Sequence, residues 1–160
     1  MEERKFFPKK ERLFLQKDID RLFNCGQIFV SYPLRIVYLT VSDNITLDAR
    51  NKANSLERNE KPVIDHLTSE YGVSALISIP KRRIRKAVKR NRLKRLIRES
   101  FRLNKHETVA LYKQKEKQLF IAFMYLSNDV KQYSEIDKAV QKALERIRRK
   151  EEEASPTLSP

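Results

Sequence analysis

A run of arginine and lysine in the middle of the chain is the strongest chemical feature of the sequence. Residues 81–105, KRRIRKAVKRNRLKRLIRESFRLNK, contain 13 basic side chains and one acid, Glu99, for a net charge of +12. The other 135 residues carry a net charge of only +2. The excess charge therefore forms one local electrostatic site, and a polyanion is the partner that suits it.

The spacing within this segment predicts an amphipathic helix with 3.6 residues per turn. Its predicted core side carries Leu93, Leu96, Ile97, Ser100 and Phe101. Its opposite side carries Asn91, Arg95, Arg98 and Arg102, with Arg92 beside them. The planar guanidinium of arginine makes bidentate contacts to phosphate, and an asparagine amide can meet a ribose hydroxyl or a base edge. The pattern favours a nucleic acid as the partner.

Two plainer explanations of the charge run fit less well. A solvated helix face normally mixes signs so that ion pairs form between residues four apart, whereas here like charges crowd each other. A basic amphipathic helix could instead lie on a membrane or bind calmodulin. The chain has no Trp, and the apolar side of the helix is needed for a core.

Composition sets the remaining bounds. The chain has 160 residues and a net charge of +14, enough for one domain. A single cysteine, Cys25, excludes an internal disulfide, and two histidines make a metalloenzyme or a histidine-based triad a poor explanation. Neither a membrane-spanning run nor a secretory signal is present, which predicts a soluble cytoplasmic protein.

Hydrophobic periodicity predicts an α+β fold in which helices pack on a small sheet. Strands are expected at 34–41, 71–79 and 118–126. Helices are expected at 11–26, across the basic segment, and from Asn128 or Asp129 onward, where an apolar stripe runs to Ile147. We expect a flexible basic N-terminus at 1–10, one RNA-binding domain at 11–150 with a long loop or insertion at 42–70, and a disordered tail at 151–160.

The basic segment resembles the protein subunit of bacterial ribonuclease P. The hallmark of that family is the pattern A-V-x-R-N-x-x-K-R-x-x-R-E-x-F, which stands complete from Ala87 to Phe101. Lys81-Arg82 after a strand, and Leu22-Phe23-x-x-Gly26 in the first helix, are similar to the family as well. The resemblance covers roughly residues 11 to 150 and is highly specific at its centre.

The resemblance implies a small mixed sheet with a left-handed βαβ crossover, similar to the second domain of ribosomal protein S5. It implies that the basic segment binds the catalytic RNA subunit, through Lys81, Arg82, Arg83, Arg85, Lys86, Arg90, Asn91, Arg92, Lys94, Arg95, Arg98 and Arg102. It also implies a cleft between the first helix and the sheet that binds the 5′ leader of precursor tRNA. On matching positions the cleft would be lined by Phe23, Tyr38 and Ile19, the last standing where the family often has Phe.

The function expected from this resemblance is that of a protein cofactor in a ribonucleoprotein endonuclease that removes the 5′ leader from precursor tRNA. Catalysis would belong to the RNA, which would bind Mg²⁺, and this chain would need neither a tightly bound cofactor nor a protein partner. Three rivals remain: another structured-RNA-binding protein, such as a ribosomal or assembly factor; a protein-only nuclease, with a metal site built from Glu57, Glu60, Asp65 and Glu70; and a DNA-compacting protein.

Overall fold

The fold is described from a computed structural model, which describes residues 12–13, 16–42 and 72–154. Four helices and four strands occupy these ranges. In chain order they are α1 (Gln16–Cys25), β1 (Gln27–Ser31), β2 (Leu34–Ser42), β3 (Val73–Ser78), α2 (Ala87–Asn104), α3 (His106–Gln114), β4 (Lys117–Tyr125) and α4 (Tyr133–Ala154). The predicted α+β class is confirmed.

The four strands form one mixed sheet in the order β1-β2-β4-β3. Strand β2 pairs antiparallel with both β1 and β4, while β3 pairs parallel with β4. A parallel pair needs a crossover, and here α2 and α3 supply it. This is the βαβ unit that the resemblance implies. The left-handedness of its crossover stays a prediction. Strand β4 is central and almost wholly buried, as its apolar sequence predicts.

Helices cover both faces of the sheet and create two separate cores. On one face α2 and α4 pack over side chains such as Ile36, Ile121 and Phe123. On the other face α1 packs Leu22 against Val37, among others. Helix α1 ends at Cys25, and at the next residue, Gly26, a Cβ would lie 2.3 Å from the carbonyl oxygen of Leu22, so a larger residue would displace the turn into β1.

Several elements differ from the sequence-based expectation. The first helix, expected over 11–26, is wrong at residues 12–13, where Arg12 forms an isolated bridge with Ala75 of β3. The last helix begins at Tyr133 and not at Asn128 or Asp129.

Residues 27–31, for which no strand or helix is predicted, form strand β1, and residues 106–114 form the unpredicted helix α3. Helix α4 continues to Ala154, so the predicted disordered tail is wrong for residues 151–154. The physical reason is Glu151, which is buried against Lys115 and Lys117 and fixes the last turns.

Most of the predicted 42–70 loop and all of the predicted flexible N-terminus at 1–10 lie outside the described residues. Within the described part of the chain, no helix is long and apolar enough to cross a membrane.

Candidate nucleic-acid interface

Helix α2 is held by an apolar side that matches the predicted one. Leu93, Ile97, Ser100 and Phe101 are fully buried. The Phe101 ring packs edge-on against Phe123 of β4, with 5.6 Å between the ring centroids. These contacts fix the rotation of α2 about its own axis, and they therefore decide which side chains the helix presents to solvent.

A polar cluster locks α2 against α4. Asp137 Oδ1 of α4 accepts hydrogen bonds from Ser100 Oγ at 2.6 Å and from Asn104 Nδ2 at 2.9 Å. Asn104 also donates to the carbonyl oxygen of Ser100. A buried hydroxyl and a carboxylate that satisfy each other are compatible with a dry helix interface. The basic helix is thus part of a rigid two-helix layer.

The outward side of α2 carries the predicted polar side chains. Asn91, Arg92 and Arg95 are exposed, while Lys94 and Arg98 are half-buried. Arg102 is half-buried and pairs with Glu99, a hydrogen bond that raises the pKa of Arg102 and lowers the pKa of Glu99. Glu99 is the only acid in the segment and it pairs with Arg102, so α2 has no second acid to neutralise the remaining cations of this face.

The residues before α2 form a compact basic turn. Arg83 N and Ile84 N both donate to the carbonyl oxygen of Pro80, and Ile84 is buried. Arg90 Nη1 donates to the carbonyl oxygens of Ile84 and Arg85, so this side chain is half-buried and orders the turn. The exposed cations of the turn are Lys81, Arg82, Arg85 and Lys86, and Arg83 is half-buried.

Arg12 joins this surface from a distant part of the sequence. Its backbone forms an isolated parallel bridge with Ala75 of β3, and Leu13 N donates to the Ala75 carbonyl oxygen. Burial and the nearby positive charge of Arg12 lower the pKa of Arg98. Sequence reasoning did not include Arg12 in the interface. Nothing in its local pattern signals a position on β3, because the bridge is a long-range contact.

The second predicted site is the space between α1 and the sheet. Leu22 is buried there, Ile19 is half-buried, and Phe23 remains 41% exposed. The half-buried apolar residues of the facing strands are Leu39, Leu76 and Met124. Ile19 and Phe23 therefore stand on the helix that borders this face. Sequence reasoning missed the three strand residues.

Tyr38 does not belong to this face, and its predicted place beside Phe23 is wrong. Neighbouring residues of a strand point to opposite sides, and Val37 and Val41 are the ones that face α1. Tyr38 is 5% exposed on the α4 side, where its hydroxyl donates to Gln27 Oε1 at 2.7 Å and its ring packs edge-on against Phe29. Burial raises the pKa of Tyr38.

Carboxylates and other metal-binding side chains are scattered. In the ranges that the structure describes, no group of three or more His, Cys, Asp or Glu side chains could hold a metal ion. Cys25 is exposed. The candidate nuclease acids Glu57, Glu60, Asp65 and Glu70 lie outside the described residues.

Comparisons with known proteins agree on one family. The family model described as Ribonuclease P matches residues 7–148. Two proteins from strains of Porphyromonas gingivalis, each named ribonuclease P protein component, are 37% identical over 142 and 139 residues. Each alignment covers 87% of this chain and 84% of the relative.

A solved structure, that of the Staphylococcus aureus RNase P protein, has a TM-score of 0.52 and 19% identity. It covers 86% of this chain and 94% of that chain, and it shows the shared fold. The complete Arg-Asn motif on an exposed helix face, the sheet order and the family match lead to one conclusion: the chain belongs to the ribonuclease P protein family.

Proposed function

We propose that this chain is the protein cofactor of a ribonuclease P ribonucleoprotein and that it acts in removal of the 5′ leader from precursor tRNA. The observation that carries the proposal is the outward face of α2, where Asn91, Arg92 and Arg95 are exposed on a rigid helix. The catalytic RNA subunit is the proposed partner of this face. Its phosphates would neutralise cations that otherwise repel one another.

The proposed contribution of the chain is electrostatic and positional. Arginine side chains on a fixed helix can bind phosphates of a folded RNA without reorganising, and each phosphate bound releases counterions. Hydrolysis itself is assigned to the RNA, which would hold Mg²⁺ to activate water and stabilise developing charge. No carboxylate of the described residues is given a catalytic role in this proposal.

The α1 side of the sheet is proposed to bind the 5′ leader. Phe23 offers a partly exposed ring on which an unpaired base can stack without strong sequence preference. Ile19 and the neighbouring strand residue Leu39 would add apolar contact. Because Tyr38 faces the other core, Phe23 is the ring that the described residues offer for stacking.

Cleavage of a 5′-labelled precursor tRNA at limiting Mg²⁺ tests the cofactor role. The protein alone, the bacterial ribonuclease P RNA alone and the mixture are compared. We expect cleavage at the mature 5′ end to be much faster in the mixture than with the RNA alone. Cleavage by the protein alone would contradict the proposal and indicate a nuclease. Tight RNA binding without faster cleavage would also contradict it and favour another structured-RNA-binding module.

A further inference from the structure

A groove of about 540 Å³ lies between α4 and the β1–β2 hairpin, away from both sites described above. Phe29, Ser31 and Tyr32 line one wall, and α4 forms the other. Ser31 Oγ donates to the carbonyl oxygen of Ala139 at 2.9 Å, which ties the hairpin to the helix. The groove is therefore a fixed part of the fold.

The helix wall of this groove is a row of cations. Lys138, Lys142 and Arg146 follow one another at intervals of four residues, about 6 Å along the helix axis. That interval is similar to the separation of neighbouring phosphates in a nucleic-acid strand. Lys131 adds a fourth cation and Glu135 is the one acid among the lining side chains, which leaves a net charge of +3.

The cations of this row differ from two other cations of α4, which form ion pairs within the protein. Arg148 pairs with Glu107 at 2.7 Å, and Arg149 pairs with Glu145 at 2.6 Å. No carboxylate of the described residues forms an ion pair with Lys138, Lys142 or Arg146. Cations left without acids along one helix row fit an anionic ligand.

Two aromatic rings accompany these cations. Tyr32 is 64% exposed at the hairpin turn, and Lys131 Nζ lies 5.8 Å from its ring centroid. Phe29 lies in the same wall, with the Arg146 guanidinium 4.5 Å from its ring centroid. An exposed ring beside phosphate-binding cations is the combination that binds unpaired nucleotides, because each base can stack while its phosphate is neutralised.

The groove and the basic face of α2 are separate surfaces. Asp137 of α4 contacts α2, and Arg148 contacts Glu107 of α3. At 100° per residue the row from Lys138 to Arg146 lies on the other flank of α4. The contacts that bind an RNA element to the basic face of α2 therefore do not place that element in the groove.

We propose that this groove is a second RNA-binding site, which takes a short stretch of unpaired ribonucleotides with one base stacked on Tyr32 and phosphates on Lys138 and Lys142. In the ribonucleoprotein of the proposed function, the stretch could come from the catalytic RNA or from precursor tRNA. Both RNAs offer the same chemistry, a base that stacks and phosphates that bind lysine. The site itself does not depend on which RNA supplies it.

A tryptophan reporter tests the site directly. The chain has no Trp, so Tyr32→Trp introduces a single fluorophore whose emission is quenched when a base stacks on it. The matched control is Gln114→Trp, at an exposed position just before the first residue of β4. Tyr32 lies near the last residue of β4, because Leu34 pairs with Tyr125, so the two reporters are at opposite ends of this strand. We expect a ten-nucleotide oligouridylate to quench the Tyr32→Trp reporter in a saturable way and to leave the control unchanged.

Charge variants give an independent readout of the same site. In the Tyr32→Trp background, Lys138→Gln with Lys142→Gln should weaken quenching about fivefold or more and reduce the salt slope of binding by about 1.4, or 0.7 per phosphate bound on a single strand. Arg148→Gln, on the α3 side of α4, with Lys113→Gln, at an exposed position of α3, removes the same charge away from the groove and should change neither value.

Several outcomes would overturn the proposal. These are no quenching at position 32, equal quenching of both reporters, or the same response to heparin, a polyanion without bases. Titration with the catalytic RNA alone, and then with precursor tRNA, identifies the source of the bound stretch. Failure of this site leaves stimulation of precursor tRNA cleavage intact. Failure of the cofactor role leaves oligouridylate quenching intact, so the two hypotheses are separable.

Discussion

Ser100 Oγ lies 2.6 Å from Asp137 Oδ1, and this hydrogen bond joins the buried side of α2 to α4. The same carboxylate oxygen accepts a second hydrogen bond, from Asn104 Nδ2 at 2.9 Å. The helix that carries the arginine face is thus oriented by a polar contact as well as by apolar packing. A change at Asp137 should therefore act on the interface without touching any residue that faces solvent from α2.

Asp137→Ala should destabilise the fold by about 1–3 kcal/mol, because it leaves the buried Ser100 hydroxyl without its acceptor. Urea unfolding at a fixed sulfate concentration measures the change, since anions that bind the native basic surface also stabilise it. Glu153→Ala, at an exposed position near the end of α4, is the control and should have little effect. Equal stability of the two variants would show that the contact does not hold α2.

Arg95→Ala should weaken binding to the catalytic RNA and reduce the salt slope by about 0.9, the value for one phosphate of a duplex region. Arg95 is exposed on the outward face of α2, so the fold should be unaffected. Arg149→Ala removes another exposed arginine, one that lies on α4, and serves as the control. Filter binding over a series of salt concentrations gives both slopes. If plots of log affinity against log salt concentration have the same slope for Arg95→Ala and the native chain, Arg95 does not bind phosphate.

Phe23→Ala and Tyr38→Ala should have different consequences because the two rings lie in different environments. Loss of the exposed Phe23 ring should weaken binding of leader-bearing precursor tRNA about fivefold or more and leave mature tRNA unchanged. Loss of the buried Tyr38 ring should cost about 3–5 kcal/mol of stability and affect both RNAs alike. Affinities of the assembled ribonucleoprotein for the two RNAs, together with urea unfolding of the free protein, separate these effects. A leader-selective loss in Tyr38→Ala would contradict its assignment to the core.

Alkaline pH should destabilise the protein through Tyr112. Burial raises the pKa of Tyr112, although its hydrogen bond with Thr40 Oγ1 opposes the shift. The unfolded tyrosine titrates near pH 10, so above that pH the unfolded state loses a proton that the folded state retains. The contribution of Tyr112 to the free energy of unfolding is fully present below pH 10 and is lost as the pH rises through the folded-state pKa. Between pH 8 and 11 the midpoint temperature of thermal unfolding should fall less steeply for Tyr112→Phe than for the native chain. Tyr32→Phe is the control and should follow the native curve.

The basic helix could be predicted because its information is local. Leu93, Ile97 and Phe101 repeat at helical spacing, and the same 25 residues hold nearly all of the excess charge. The core side and the solvent side of α2 therefore follow from the pattern alone. The tertiary partners of that helix, Asp137 above all, come from a distant segment and leave no local signal.

The side on which Tyr38 lies could not be predicted, and the reason is the architecture of the sheet. Strand β2 is covered on both faces, so Val37 and Tyr38 are both buried and alternation does not indicate which one faces α1. Strand β1 was missed for the opposite reason. Ile28 and Val30 remain exposed on an edge strand, and five residues with two exposed apolar side chains do not form a recognisable pattern.

Glu151→Gln should destabilise the protein even though it lies beyond the predicted end of the domain. Glu151 is 7% exposed, with Oε1 at 2.6 Å from Lys117 Nζ and 3.7 Å from Lys115 Nζ. The amide has the same shape but removes the carboxylate from two partly buried ammonium groups. We expect a loss of about 1–3 kcal/mol, below that of a fully buried pair because water reaches both lysines.

Urea unfolding of Glu151→Gln beside Glu152→Gln measures this contribution, since Glu152 is the exposed next residue and carries the same charge. The change in net charge is identical in the two variants, so general electrostatic effects cancel. Amide hydrogen exchange should be faster in the last turns of α4 only in Glu151→Gln. If both variants unfold at the same urea concentration, the buried ion pair does not hold the end of α4, and the predicted boundary at residue 150 would describe the stable fold.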